Sequence, residues 1–471
     1  MKLRFISLFI TFSLLAGKIF SQVNPQNGAA QVNIPLYSYS DPGNRLGLNA
    51  SLIYVDGNGL KVSVMASAVG TGWVLDCGGS ITRIQYGEPD DQYQPMTTYD
   101  YVNHYLDYML SYYPNGYLYS EYLPSDLIDN GGGLSTYEEA LPTTFGLGDQ
   151  RAFKLHPYYM ADREQDVFAF SFNGRSGQFV IGKNKQIKIL NDSKLKIDLM
   201  ETDMSSLGVR TKISQFKITD ETGIQYVFKD MELDYVCTYN DVRTINDNGN
   251  VGSTISLYSP ATYGNCTNCG DSKINVVLGR PKNQFVVNKW YLSQVINPFS
   301  NKQITFNYTT YDEDINCDKM LDFAPNDAGD GTVTVMWQKY KAKALRLSNV
   351  VLSNAERVDF LYSSTGRIDL PNQNTLDNVQ VSYNGTAVYS WAFTYGYLEG
   401  RDGAIKAPGD SYTSEEQQWA RLCLIGLQKK GLNNASEPPY QFSYNMGGDN
   451  NAANDVIPPM FSIYQDHYGY S

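Results

Sequence analysis

The feature that most constrains this chain is a repeat in its C-terminal part. Four times an opening Leu-x-x-Val, or a close variant, is answered by a closing Phe-x-Tyr. The units run from Leu292 and Val295 to Phe306 and Tyr308, then from Leu347 and Val350 to Phe360 and Tyr362. They continue from Leu376 and Val379 to Phe393 and Tyr395, and from Leu424 and Leu427 to Phe442 and Tyr444. The separations suit two strands of about six residues joined by a turn of variable length. One such hairpin cannot bury its own apolar face, so several must join edge to edge. The expected fold class is therefore mainly β: an antiparallel hairpin array forming a curved sheet or part of a hollow shell, with its repeats over 286–471 continuing beyond the last residue.

Upstream the same texture recurs. Val32, Ile34 and Leu36 alternate with polar residues, as do Leu48, Ala50, Leu52 and Tyr54, and Asp56-Gly-Asn-Gly59 then turns the chain toward Lys61–Met65. Phe168, Phe170 and Phe172 alternate before Asn173-Gly174, and Phe216 to Phe228 reads as a further hairpin. Alternation bounded by Asn/Asp-Gly turns is the signature of antiparallel hairpins. A count of 37 Tyr and 40 Gly fits pleated surfaces joined by many turns. Residues 32–90 form an N-terminal β segment, and 161–285 hold hairpins followed by a loop over 240–285 rich in Asn, Gly, Ser and Thr. Residues 91–160 differ. Tyr is dense from Tyr99 to Tyr122, and Val102, Tyr105, Met109 and Tyr113 recur at helical spacing. This is read as a Tyr-rich, partly helical insertion with long loops.

The compartment is read from the first residues. Lys2 and Arg4 precede an apolar run from Phe5 to Ala16, and Ser21 ends a cleavage site, so residues 1–21 have the form of a secretory signal peptide. The stretch is too short to span a bilayer. A polar leader over 22–31 follows, and the expected location is secreted or cell-surface. A formal charge of −12 argues against nucleic acid as a partner, because phosphate binding needs clustered Lys and Arg. Six Cys (77, 237, 266, 269, 317 and 423) enter an oxidising space with their pairing open. Cys266 and Cys269 form a single CxxC, read as disulfides or free thiols ahead of zinc, since no second close pair exists.

The motifs in order resemble those of secreted bacterial RHS (rearrangement hot-spot) or YD-repeat proteins. Ser67-Ala-Val-Gly-Thr-Gly72-Trp73-Val-Leu75 with Gly78-Gly79-Ser-Ile-Thr-Arg83 resembles their N-terminal signature. Gly87-Glu-Pro-Asp-Asp91, Phe172-Asn-Gly-x-Ser-Gly-x-Phe179, Trp290-Tyr-Leu-Ser-x-Val-x-x-Pro298 and Gln465-Asp466-His467-Tyr-Gly-Tyr470 resemble later landmarks. The chain departs from the pattern at the repeat itself: Tyr362 with Gly366-Arg367 carries Ser363 where Asp is usual. The resemblance implies a non-catalytic N-terminal part of a β shell that encloses or presents a C-terminal, toxin-like effector. It makes Gly72, Trp73, Gly78, Gly79, Arg83, Asp466 and His467 structural landmarks. The partner is then the remainder of its own polypeptide.

Catalytic chemistry has few candidates. The sequence holds no nucleophile elbow, HExxH, P-loop or Rossmann fingerprint, and only three His. No catalytic residue, metal site or cofactor is therefore assigned. Asp466 with His467 is read as a turn near a sheet edge, for lack of a third partner. Asp90-Asp91, Asp312-Glu-Asp314 and Asn326–Asp330 have calcium-type oxygens, but without EF-hand spacing they are read as solvated turns. Trp73 is read as buried under a tight glycine turn. The alternative function is a carbohydrate- or protein-binding module at the cell surface, with Tyr101, Tyr105, Tyr108, Tyr112 and Tyr113 as its face, since Tyr supplies stiff, amphipathic contact area.

Overall fold

Strand alternation converts directly into two antiparallel sheets sharing one core. The computed structural model describes residues 22–23, 30–55, 64–87, 89–92, 116–122, 164–191, 194–245, 251–258, 285–325, 331–370, 372–399, 405–406, 420–432 and 435–444. The first sheet has the order β1 (Gln22–Val23), β2 (Ala30–Asp41), β3 (Leu46–Tyr54), β4 (Trp73–Cys77). Ile34, Leu36, Leu46, Leu48, Ala50 and Leu52 all face the core. A bulge between Pro35 and Tyr37 lets both Leu36 and Tyr37 turn inward, which strict alternation forbids. The expected strand over Lys61–Met65 is not seen where it is described, because Val64 and Met65 lie in no strand. Trp73–Cys77 pairs with β3 instead.

Gly78 and Gly79 carry the chain from the first sheet into the second. A Cβ on Gly79 would lie 2.5 Å from Phe172 Cβ, so only glycine lets the two strands approach. The second sheet begins with β5 (Gly79–Ile84), β6 (Val167–Phe172), β7 (Arg175–Ile181) and β8 (Ile187–Ile189), each paired with the next. Next come β9 (Lys196–Glu201), β10 (Ile213–Thr219) and β11 (Gln225–Ile245). The strand β12 (Val251–Tyr258) pairs with the far end of β11. These last two correct the loop reading of 240–285 over its described part. Polar composition there hid a ladder, because β11 is held on its other edge by a strand about 90 residues away in sequence.

The repeats are hairpins, as their spacing predicts. They comprise β13 (Val286–Asn297) with β14 (Lys302–Pro325), β15 (Gly331–Val351) with β16 (Glu356–Gly366), and β17 (Asn374–Tyr383) with β18 (Thr386–Glu399). After the short β19 (Ile405–Lys406), β20 (Ala420–Lys430) and β21 (Tyr440–Gln441) form the last one. The opening residues Leu292, Leu347, Leu376 and Leu424 and the closing residues Phe306, Phe360 and Phe393 are all buried. The repeat is thus the set of positions that every hairpin turns toward the common core.

One end of that core is an aromatic stack. Phe168 stacks on Phe179 at 5.2 Å, and Phe216 meets Trp290 edge-on at 5.0 Å. Trp290 is fully buried, and its Nε1 donates to the Ile213 carbonyl at 3.1 Å. Replacing Trp290 by Ala removes the ring and leaves a cavity that stiff neighbouring strands cannot fill. A loss of about 3–5 kcal/mol is expected, read from the shift of the urea unfolding midpoint.

Candidate functional site

Three constellations join residues distant in sequence. The first is the neck of the Tyr-rich insertion. Strand β5 ends beside Arg83, and the chain returns to β6 at Asp166. Arg83 Nη2 bonds Asp91 Oδ1 at 2.6 Å, and its Nε lies 3.6 Å from Asp166, with all three side chains fully buried. Asp90 and Asp166 each accept the other's backbone N–H, at 2.8 and 3.0 Å, and Asp166 also accepts that of Tyr86. Asp91 Oδ2 accepts from the amides of Lys212 and Ile213. Burial raises the Asp166 pKa, while Arg83 and the two amides pull it back. The guanidinium lies 5.4 Å from the ring centres of both Phe168 and Trp290. Asp90-Asp91 is therefore neither a solvated turn nor a cation site: buried carboxylates here are matched by one cation and by backbone donors.

The second constellation surrounds Trp73. Gly70 and Gly72 have φ of 100° and 76°, making the tight turn under which the ring is buried. Phe442 meets the ring at 4.7 Å, and Trp73 Nε1 donates to the Tyr444 hydroxyl at 3.1 Å. That hydroxyl donates onward to the Leu424 carbonyl at 2.7 Å. Thr71 donates both its N–H and its hydroxyl to the Leu422 carbonyl, and the Leu422 N–H bonds Asp369. Arg367, the arginine of the degenerate repeat, forks onto Asp369 and bonds the carbonyls of Ala66 and Ser67. The N-terminal motif thus covers the outer edge of β20 at Leu422 and Leu424. Cys77 and Cys423 are free thiols, and burial pushes Cys423 up to about 12, which makes it a poor nucleophile.

The third constellation was not foreseen as a unit. Strand β11 pairs with β13 over its first half and with β15 over its second; β13 pairs with β14 at its end, and β14 with β15. These four ladders close a ring. Directly opposed residues share a face, so Glu232 stands beside Lys289, Tyr311 beside Ala344, and Glu313 and Asp234 flank Ala342. The Tyr291 hydroxyl donates to Glu232 at 2.8 Å, and its ring lies 5.3 Å from that of Tyr308. Arg346 lies over Tyr362 at 4.7 Å and Tyr311 at 5.7 Å, and donates to Asn374 at 2.8 Å. Gln373 donates to Glu313. Burial, reinforced by Glu232, pushes Glu313 up to about 7, against the pull of Arg367 and Lys289. Burial likewise raises the phenols of Tyr291, Tyr308 and Tyr311, which stay neutral.

Of the residues singled out from sequence, Gly72 and Trp73 meet in the second constellation and Arg83 in the first, with Gly78 and Gly79 at the crossing between sheets. Tyr101, Tyr105, Tyr108, Tyr112, Tyr113, Asp466 and His467 lie outside the described residues, as do Cys266, Cys269 and the Asn326–Asp330 cluster. Beyond Asp91, Gln92 and Gly116, the insertion's described part is a short 3-10 helix, Tyr117–Tyr122. Asp312 is exposed, whereas Glu313 beside it enters the ring, so that cluster divides by strand alternation. Sequence reasoning missed Glu232, Tyr291 and Arg346 as partners, because only ladder register brings them together. Among the described residues no three His, Cys, Asp or Glu side chains converge as a metal site requires. Among them, too, no helix is long and apolar enough to cross a membrane. No protein-family model matches this chain, and no curated protein does either.

Two outcomes follow. Arg83→Met strands two buried carboxylates and should cost about 3–5 kcal/mol, measured by urea unfolding. Glu313 holds its proton in the fold up to about 7 against 4.5 ordinarily. The folded state binds more protons than the unfolded across that window, so stability falls as pH rises through it. Glu313→Gln should flatten this dependence, with thermal midpoints of variant and wild type diverging in the variant's favour from about pH 4.5 to about pH 7.

Proposed function

We propose that this chain is a non-catalytic, exported β shell segment of the RHS type, which encloses or presents a C-terminal effector polypeptide at or beyond the cell surface. The supporting observation is the covered edge of β20. Thr71, Asp369 and Tyr444 occupy backbone groups that a neighbouring strand would otherwise take, so the N-terminal motif is fastened to that strand. A strip of hairpins fastened along its edge by its own N-terminal motif suits containment, which calls on mechanical integrity and on no catalytic group. The ordered landmarks from Gly72-Trp73 to Gln465–Tyr470 support the same reading.

A binding-module reading draws on the neck. A segment leaving and returning through the buried Arg83, Asp91 and Asp166 is held rigidly at its base, as a presented recognition element should be. Its chemistry would be a tyrosine surface for a cell-surface glycan or protein. Replacing residues 93–163 by a short linker separates the two: glycan or protein capture lost on deletion favours the module.

Two measurements test the shell. The reading frame past codon 471 should encode further Tyr-Asp-x-x-Gly-Arg repeats, and an immediate stop would sink the proposal. Trp73→Ala should unstitch the seam, speeding protease cleavage several-fold around Ala66–Trp73 and Tyr440–Tyr444 while the Phe168–Trp290 end stays protected. Uniform cleavage would show that the seam has no separate role.

A further inference from the structure

One pair of sheet edges is left over. The aromatic end of the core is wrapped by a circuit of eight strands. In one direction β13 pairs with β5, β5 with β6, β6 with β7 and β7 with β8. In the other, β13 pairs with β11, β11 with β10 and β10 with β9. The circuit would close between β8 and β9, but no ladder joins them, and they stand farther apart than hydrogen-bonded neighbours do. Among the described residues neither has a second partner strand. At one end of this slot the two strands are joined through residues 190–195, and at the other Lys185 bonds Glu201 at 2.6 Å. Each edge therefore offers backbone donors and acceptors that no described strand takes.

Along both strands the side chains alternate. Ile187 and Ile189 on β8, and Ile197 and Leu199 on β9, pack against the core, Ile197 buried and the other three half-buried. Lys188 and Lys196 point outward and are exposed, as are Leu190 at 49% and Met200 at 52%. Asp198, the outward carboxylate of β9, is already held by Lys196 at 3.0 Å and Lys217 at 3.8 Å. The local charge is one-sided: residues 182–196 carry five Lys against one acidic residue, Asp192, in a chain of net charge −12. Lysine on an open edge deters pairing with neutral or basic strands. The same charge selects an acidic one, and it opposes a second copy of this chain, which would bring two lysine rims together.

We infer that the slot between β8 and β9 takes up an extended acidic peptide of a partner protein, which adds a strand to the wall. The peptide pairs through its backbone with β9, the longer of the two edges, at about 4.8 Å. Its alternate apolar residues continue the inner surface made by Ile187, Ile189, Ile197 and Leu199. Its acidic residues face outward to Lys188 and Lys196. In strand addition of this kind main-chain bonds supply affinity, and the alternating side chains supply the choice of partner. The inference does not depend on the shell reading or on the tyrosine insertion.

The test is fluorescence anisotropy of the full chain with labelled heptapeptides. The probe is Glu-Val-Glu-Val-Glu-Val-Glu, and its controls are the same residues reordered as Val-Val-Glu-Glu-Glu-Glu-Val and the probe N-methylated at alternate amides in each of the two registers. Saturable binding of the probe is expected. N-methylation in the register that faces β9 should weaken it about tenfold or more, and so should the double variant Lys188→Glu, Lys196→Glu. The peptide controls need no variant, so they carry the comparison even if the double variant fails to fold. Absence of saturable binding overturns the inference. So does equal binding of the reordered or both N-methylated peptides, which would leave charge attraction alone, or binding that persists unchanged in the folded double variant. A dimer of the free chain that is lost in the same variant would give the slot to a second copy and overturn it too.

Discussion

A sheet edge is a row of unpaired donors and acceptors, and this fold is organised around disposing of them. Two devices do so. Long strands are shared between partners, as when β11 serves β13 along one half and β15 along the other. Where no strand is at hand, single side chains take over: Asp369 on the Leu422 amide, Thr71 on its carbonyl, Tyr444 on that of Leu424. The first device makes the ring and the second makes the seam. Both place polar side chains in the interior, and the candidate sites lie where that happens.

The cost of these polar groups explains how they are arranged. An ion buried without company is worth several kcal/mol against folding. Arg83 accordingly meets two carboxylates, and those carboxylates collect backbone amides that need acceptors in any case. Arg367 follows the same logic, holding Asp369 and two carbonyls of the N-terminal motif. In the ring burial raises Glu313, and Arg346 Nε is without a hydrogen-bond partner, as Arg83 Nε and Nη1 are at the neck. The neck and the seam read as fastenings, because each ties together segments distant in sequence.

Legibility in the sequence followed the range of the interactions. The hairpins at Phe168–Ile181, Phe216–Phe228 and in the four repeats were visible because alternation and turn residues act over a few positions. The burial of Trp73 was visible in its flanking glycines. The continuation of β11 to Ile245 was not, since its polar residues gain a strand only by pairing with β15. Nor was the burial of Asp90 and Asp91, which in sequence are indistinguishable from a solvated Pro-Asp-Asp turn. Their environment comes from Arg83, Asp166 and Ile213, and no local rule couples those positions.

By itself the amino-acid sequence determined that this chain would be antiparallel β, where most hairpins turn, and which residue of each repeat faces the core. Those properties follow from a two-residue period and from the φ preferences of Asn and Gly, which each segment carries within itself. Only the tertiary structure decided which edges meet, that the N-terminal glycine-tryptophan motif covers an edge of β20, and that Glu232, Glu313, Tyr291 and Arg346 share one ring. Register between distant strands sets those outcomes. Register is selected by the summed burial of a whole face, a quantity that no single segment contains.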